Sequence, residues 1–78
     1  MKFYIKHSMT GRLRVHMDMK HMSFKQADIL EYYIKNIETV TSVKVYEKTC
    51  DAVIEFKGDK AQIINELKHF TYSQVAVP

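Results

Sequence analysis

Thiol chemistry has almost nothing to work with in this chain. Cys50 is the only cysteine among 78 residues. No internal disulfide can form, and a reducing cytosolic setting is the natural expectation. Glycine is nearly as scarce, with only Gly11 and Gly58. That leaves no glycine-rich phosphate loop and no Walker motif, and neither a nucleophile elbow nor a carboxylate pair stands out. Catalysis by this domain is not expected. No run of roughly 18 apolar residues occurs, so no segment is expected to insert into a membrane. The opening Met1–His7 breaks its apolar run with Lys6 and His7, unlike a signal peptide. Repeats, linkers and low-complexity segments are missing too, and the length suits one domain, 1–78.

Acidic residues are lacking at one end only. Residues 1–25 carry Lys2, Lys6, Arg12, Arg14, Lys20 and Lys25 against Asp18 alone, whereas five basic and five acidic residues balance from Val40 onward. A basic end can meet an acidic partner, phosphate or a lipid surface, or can simply be solvated. The hydrophobic fraction of 46% is ordinary for a folded domain. A core this small must bury its apolar side chains efficiently.

The apolar pattern predicts a β-α-β-β-α-β order. Phe3, Ile5, Leu13 and Val15 alternate in one long first strand with a bulge or kink at Gly11. They would face the core, leaving Tyr4, Lys6, Arg12, Arg14 and His16 on the other side. Ser23 followed by Gln26 reads as a capping box. It opens a helix whose stripe is Phe24, Ala27, Leu30, Ile34 and Ile37, with a stop near Asn36, a residue that tolerates the left-handed conformation of a helix end. Val40, Val43 and Val45 mark a second strand, roughly residues 42–47. Lys48-Thr49 is a turn, and Ala52, Ile54 and Phe56 alternate with Asp51, Val53 and Glu55 in a third strand. Asp59 with Gln62 caps a second helix bearing Ile63, Ile64, Leu67 and Phe70. Tyr72 to Val77 reads as a last strand. Right-handed crossovers then place both helices on one face of a four-stranded antiparallel sheet, an α+β ferredoxin-like sandwich with its other face open.

Three segments resemble one family. Gly11-Arg12-Leu13-Arg14-Val15 is the first, and Ile37-Glu38-Thr39-Val40-Thr41-Ser42-Val43-Lys44-Val45 is the second. Ala52-Val53-Ile54-Glu55-Phe56, with Gly58-Asp59 and Ile63-Ile64, is the third. Together they are similar to the heavy-metal-associated domains, in particular the divergent copies at the N-terminus of bacterial heavy-metal-transporting P-type ATPases. The resemblance implies a non-catalytic regulatory or docking domain on the cytoplasmic side of a longer membrane transporter, soluble when isolated. Its partners would be the other domains of that ATPase, which would itself hydrolyse ATP. Ordinary members hold a soft ion such as Cu(I) on two thiolates of a Met-x-Cys-x-x-Cys motif after the first strand. Here that junction reads His16-Met17-Asp18-Met19-Lys20-His21-Met22, with neither thiolate.

Two candidate sites follow. His16, Met17, Met19, His21 and Met22 offer thioethers and imidazoles to a transient soft or borderline ion, Cu(I), Cd(II) or Zn(II). A stronger site would recruit His7 or Met9. The plain alternative is that Met17 and Met22 fill gaps in the core. The second candidate is a partner surface of Tyr4, Lys6, Arg12, Arg14, Lys44 and Tyr46 on the open sheet face. Single-stranded RNA readers of this topology interleave aromatic and basic residues in that way. They also carry a basic-Gly-aromatic signature on the third strand, where this chain has outward acids instead, so nucleic acid is not the expected partner. An acidic protein surface fits better. The leading expectation is therefore docking within a metal-transport ATPase. A stand-alone soft-metal carrier comes second and a single-stranded nucleic-acid module third. Cys50, with no activating neighbour in the sequence, reads as a small buried residue.

Overall fold

The computed structural model describes residues 1–74. It contains β1 (Phe3–Met9), β2 (Arg12–Met17), α1 (Phe24–Lys35), β3 (Val40–Tyr46), β4 (Asp51–Phe56), α2 (Lys60–His69) and a closing 3₁₀ turn, Tyr72–Gln74. The four strands form one antiparallel sheet in the order β1-β2-β4-β3. With both helices on one face it is the α+β ferredoxin-like sandwich expected.

The route to the fourth strand differs from the expectation. The long first strand is a hairpin. Thr10 and Gly11 turn the chain so that Met9 pairs with Arg12 and Phe3 with Met17. Gly11 makes the turn possible at φ +77°, a region where an L side chain is strained. A Cβ at Gly11 would also lie 3.4 Å from the Phe56 carbonyl oxygen. The sheet edge assigned to a C-terminal strand is thereby filled from the N-terminus. Tyr72–Gln74 form the 3₁₀ turn, and the rest of the expected last strand, Val75 to Val77, lies outside the described residues.

One face of the sheet supplies Leu13, Val15 and Met17 from β2 and Ala52, Ile54 and Phe56 from β4. Ala27, Leu30 and Ile34 of α1, Ile63 and Leu67 of α2, and Phe70 close over them. Ser23 caps α1 as the sequence implies: its Oγ accepts from the Gln26 N–H, and Gln26 Oε1 accepts from the Ser23 N–H. Asp59 caps α2 by accepting from the Ala61 N–H. Asn36 ends α1 without going left-handed. Its φ is −85°, and its Nδ2 donates to the Tyr32 carbonyl at 2.7 Å, satisfying a terminal acceptor directly. Tyr33 ties the helices together by donating to the Glu66 carbonyl at 2.9 Å, and its ring packs 4.8 Å from Phe70.

Phe24 departs from its expected place. It begins α1 at the end of the apolar stripe but is 75% exposed. At the first helical position it precedes the turn that reaches the core. The stripe therefore starts at Ala27. Ile54, fully buried under both helices, should tell a different story from Phe24. Ile54→Ala is expected to lower unfolding free energy by about 3 kcal/mol through lost burial and a residual cavity. Phe24→Ser should change it by less than about 0.5 kcal/mol. Urea unfolding followed by circular dichroism measures both.

Candidate functional site

Strand alternation and register assemble the open face in rows. Tyr4 of β1 pairs with His16 of β2, His16 with Asp51 of β4, and Asp51 with Tyr46 of β3. The next row runs His7, Arg14, Val53, Lys44, and the third runs Met9, Arg12, Glu55, Ser42. The register skips Lys6, the extra residue of a β-bulge between Ile5 and His7. Without it, alternation would turn His7 toward the helices. The bulge lets both Lys6 and His7 serve the open face. All six residues assigned to a partner surface thus share one side of the sheet.

Asp51 is the organising group and was not among those six. It is fully buried, yet it sits on the open face beneath longer side chains. Lys6 Nζ donates to its Oδ2 at 3.1 Å and Arg14 Nη2 to the same oxygen at 3.0 Å. His16 Nδ1 lies 2.8 Å from Oδ1, and an ionised carboxylate can only accept, so the imidazole donates there. Burial alone pushes the Asp51 carboxyl up. The hydrogen bonds from His16, Lys6 and Arg14, with the charge of Lys6, outweigh it and bring the group from 3.8 down to about 2. The sequence places Asp51 among outward acids on alternation alone. Its burial depends on three basic side chains folding over it from β1 and β2.

The aromatic groups frame this cluster. The Tyr4 ring stacks at 18° on His16 with centroids 6.4 Å apart. Arg14 Cζ lies 6.0 Å from the Tyr46 ring centroid and Lys44 Nζ 5.6 Å from it. Of the two acids expected to face out, Asp51 is spent on its three partners and Glu55 remains exposed. The result is a cationic, tyrosine-edged surface.

The His/Met junction is put together otherwise. His16 and Met17 are consecutive on β2 and point to opposite faces. His16 is bound to Asp51, and Met17 is fully buried in the core, as Met22 nearly is. Met19 packs against the core, with its sulfur accepting from the Tyr72 hydroxyl at 3.8 Å. His21 is exposed and lines a hollow with Met22, Phe24 and Lys48, away from His16 on the open face. The five side chains do not converge on one point and so do not fit an ion needing three or four ligands. Among the described residues no group of three or more His, Cys, Asp or Glu could hold a metal.

Cys50 is buried at φ +59° in the β3–β4 turn, its thiol 3.8 Å from the Glu47 carbonyl. Burial, then the charge of Asp51, push its thiol up, the reverse of what activates a nucleophile. Among the described residues no helix is long and apolar enough to cross a membrane.

Comparison of the chain with family models, with curated proteins and with solved structures found no match to any of the three.

Two measurements check the site. The folded Asp51 carboxyl is lowered, so its stabilisation is full above about pH 3.8 and is lost as pH falls toward about 2. That difference is worth roughly 2 kcal/mol. Asp51→Asn should cost about 2 kcal/mol at neutral pH, because a neutral amide loses the charge-assisted hydrogen bonds from Lys6, Arg14 and His16. The gap between wild type and variant should close across that acid window in chemical unfolding. Cys50 should resist a thiol reagent in the folded protein and react at the rate of a free thiol once urea unfolds it.

Proposed function

We propose that this domain is a non-catalytic docking module, the cytosolic N-terminal regulatory part of a heavy-metal-transporting P-type ATPase. It works by surface contact, offering its cationic, tyrosine-edged sheet face to an acidic surface on the catalytic domains of the same transporter. The observation that carries this reading is the row of Tyr4, His16, Asp51 and Tyr46 with Lys6 and Arg14 folded over the buried carboxylate. One negative charge faces Lys6, Arg14 and His16, so the face keeps a positive excess while its side chains are held in place. Preorganised charge and rigid aromatics suit recognition, because less side-chain freedom is lost on contact. The resemblance of Gly11–Val15 and Ile37–Val45 to the metal-ATPase domains supports the choice of partner. Gly11, Arg12 and Arg14 of that motif respectively form the β1–β2 turn and two of the face's cations.

The mechanism asks nothing of a bound metal. The chemistry that couples ATP to transport belongs to the rest of the ATPase, and this domain adjusts it by occupying or leaving the acidic surface.

The test titrates isotopically labelled domain with the soluble phosphorylation domain of the transporter. Amide shifts should gather at Tyr4, Arg14, Lys44 and Tyr46 and weaken as salt screens the charges. Lys44→Glu should weaken binding several-fold with the fold intact. Silence at low salt sinks the proposal, as does a preference for mixed oligonucleotides over the protein domain. The reading frame beyond Pro78 gives a second check, since membrane spans and an aspartyl-phosphate motif are expected there.

A further inference from the structure

Beside the Asp51 cluster, on the same face, lies a hollow of about 300 Å³ lined by His7, Met9, Arg12, Arg14 and Val53. Its size is at the lower end for small-ligand sites. Two arginines two residues apart on β2 form one wall, and the bulge at Lys6 turns His7 toward them from β1. Val53 of β4 is paired with Arg14 and supplies an apolar floor. Every hydrogen-bonding side chain lining this hollow is basic.

Those donors are largely unspent. Arg14 gives Nη2 to Asp51, and its Nε is buried without a partner. Arg12 forms no ion pair among the described residues. Glu55 stands opposite it in the register but neither pairs with it nor lines the hollow. A guanidinium presents five N–H groups in a fixed fork. One such fork satisfies a carboxylate, which has two oxygens and one charge. Two forks and an imidazole around one small space suit a group with three oxygens and close to two negative charges. Asp51, bound on the far side of Arg14, anchors that guanidinium and fixes its direction.

We infer that the hollow between His7, Arg12 and Arg14 is a phosphoryl-binding site, taking the phosphate group of a monoester. Arg12 and Arg14 hold its oxygens, His7 supplies a further N–H, and Met9 and Val53 meet the apolar part of whatever carries the phosphate. This goes beyond the docking reading and does not depend on it. The hollow recognises a small group, whichever protein surface the face meets. A soluble phosphate ester and a lipid headgroup share this chemistry, and the experiment separates them.

The test titrates the labelled 78-residue chain with inorganic phosphate, AMP and acetate, and in parallel measures co-sedimentation with phosphatidylcholine vesicles with and without phosphatidic acid. Saturable amide shifts at residues 7, 9, 12, 14 and 53 are expected with phosphate and AMP, and weaker ones with acetate. Arg12→Gln should weaken binding about tenfold, the loss of one charge-assisted contact. Arg12→Lys should recover only part of it, since it keeps the charge and loses the fork. Arg12 is exposed, so neither change should alter the spectrum away from the β1–β2 hairpin. Arg12-dependent binding to phosphatidic acid vesicles with soluble phosphate silent would assign the same site to a lipid phosphate. The inference is overturned if neither source binds saturably, if Arg12→Gln binds as well as wild type, or if acetate matches phosphate. Lys44 lies outside the hollow, so loss of protein docking in Lys44→Glu with phosphate binding intact separates this site from the docking reading.

Discussion

A single carboxylate, fully buried and held by three basic groups, ties together three of the four strands. Lys6 belongs to β1, Arg14 and His16 to β2, and Asp51 to β4, so the cluster spans strands that are far apart in sequence. An isolated buried charge is costly. Asp51 is tolerated because both its oxygens are engaged and because its partners stay partly in water, with side-chain exposures of 36–49%. They therefore keep much of their hydration while neutralising it. The arrangement also fixes register. Sliding β2 by one residue would bring a side chain of the other face opposite Asp51 and leave the charge unpaired. The hydrophobic core on the opposite face enforces the same register through Leu13, Val15, Ala52 and Ile54.

That double constraint bears on the exposed edge. β1 has one neighbour and is the least buried strand, with Tyr4, Ile5 and Met9 all about half exposed. A flat edge with that composition invites pairing with another chain. The bulge at Lys6 interrupts it, and the lysine is drawn onto the open face by Asp51. At the other end of β1, Lys60 of α2 reaches Ser8 Oγ at 3.0 Å. The edge is therefore irregular where an added strand would need an even ladder. The residue that breaks the ladder is also one that builds the charged face.

How much of this could be read from the sequence depends on the range over which each signal acts. Capping at Ser23 and Asp59 is local and was legible. So was the alternation of Ala52, Ile54 and Phe56, which fixes which side of β4 faces the helices. The turn at Gly11 was not, because a glycine inside an alternating run serves a bulge or a hairpin equally well. Phe3, Ile5, Leu13 and Val15 keep their parity in either case. What decides is which strand fills the free edge of β2, and that is a long-range fact. Asp51 was missed for the same reason. Alternation gives its face correctly, but its burial requires the register of β1 against β2 and of β2 against β4. The six surface residues were found because each needs only the parity of its own strand.

The junction from His16 to Met22 illustrates the limit of reading side-chain chemistry without geometry. Its composition suits a soft ion, but consecutive strand residues must point to opposite faces. His16 goes to the charged surface and Met17 to the core before the loop begins. The Met17 N–H donates to the Cys50 carbonyl at 2.8 Å and the Asp18 N–H to the Lys2 carbonyl at 3.0 Å. The strand end is thus held from both neighbours and has little freedom to swing its side chains together. Met22 then packs into the core, and Met19 leans on Tyr72, which itself sits edge-on to Phe70 at 4.8 Å. Flexible thioethers are well suited to sealing such an irregular end of a small core. Once they are used in that way, the chemistry left for recognition is that of the opposite face, where the basic groups of β1 and β2 are held in place by Asp51.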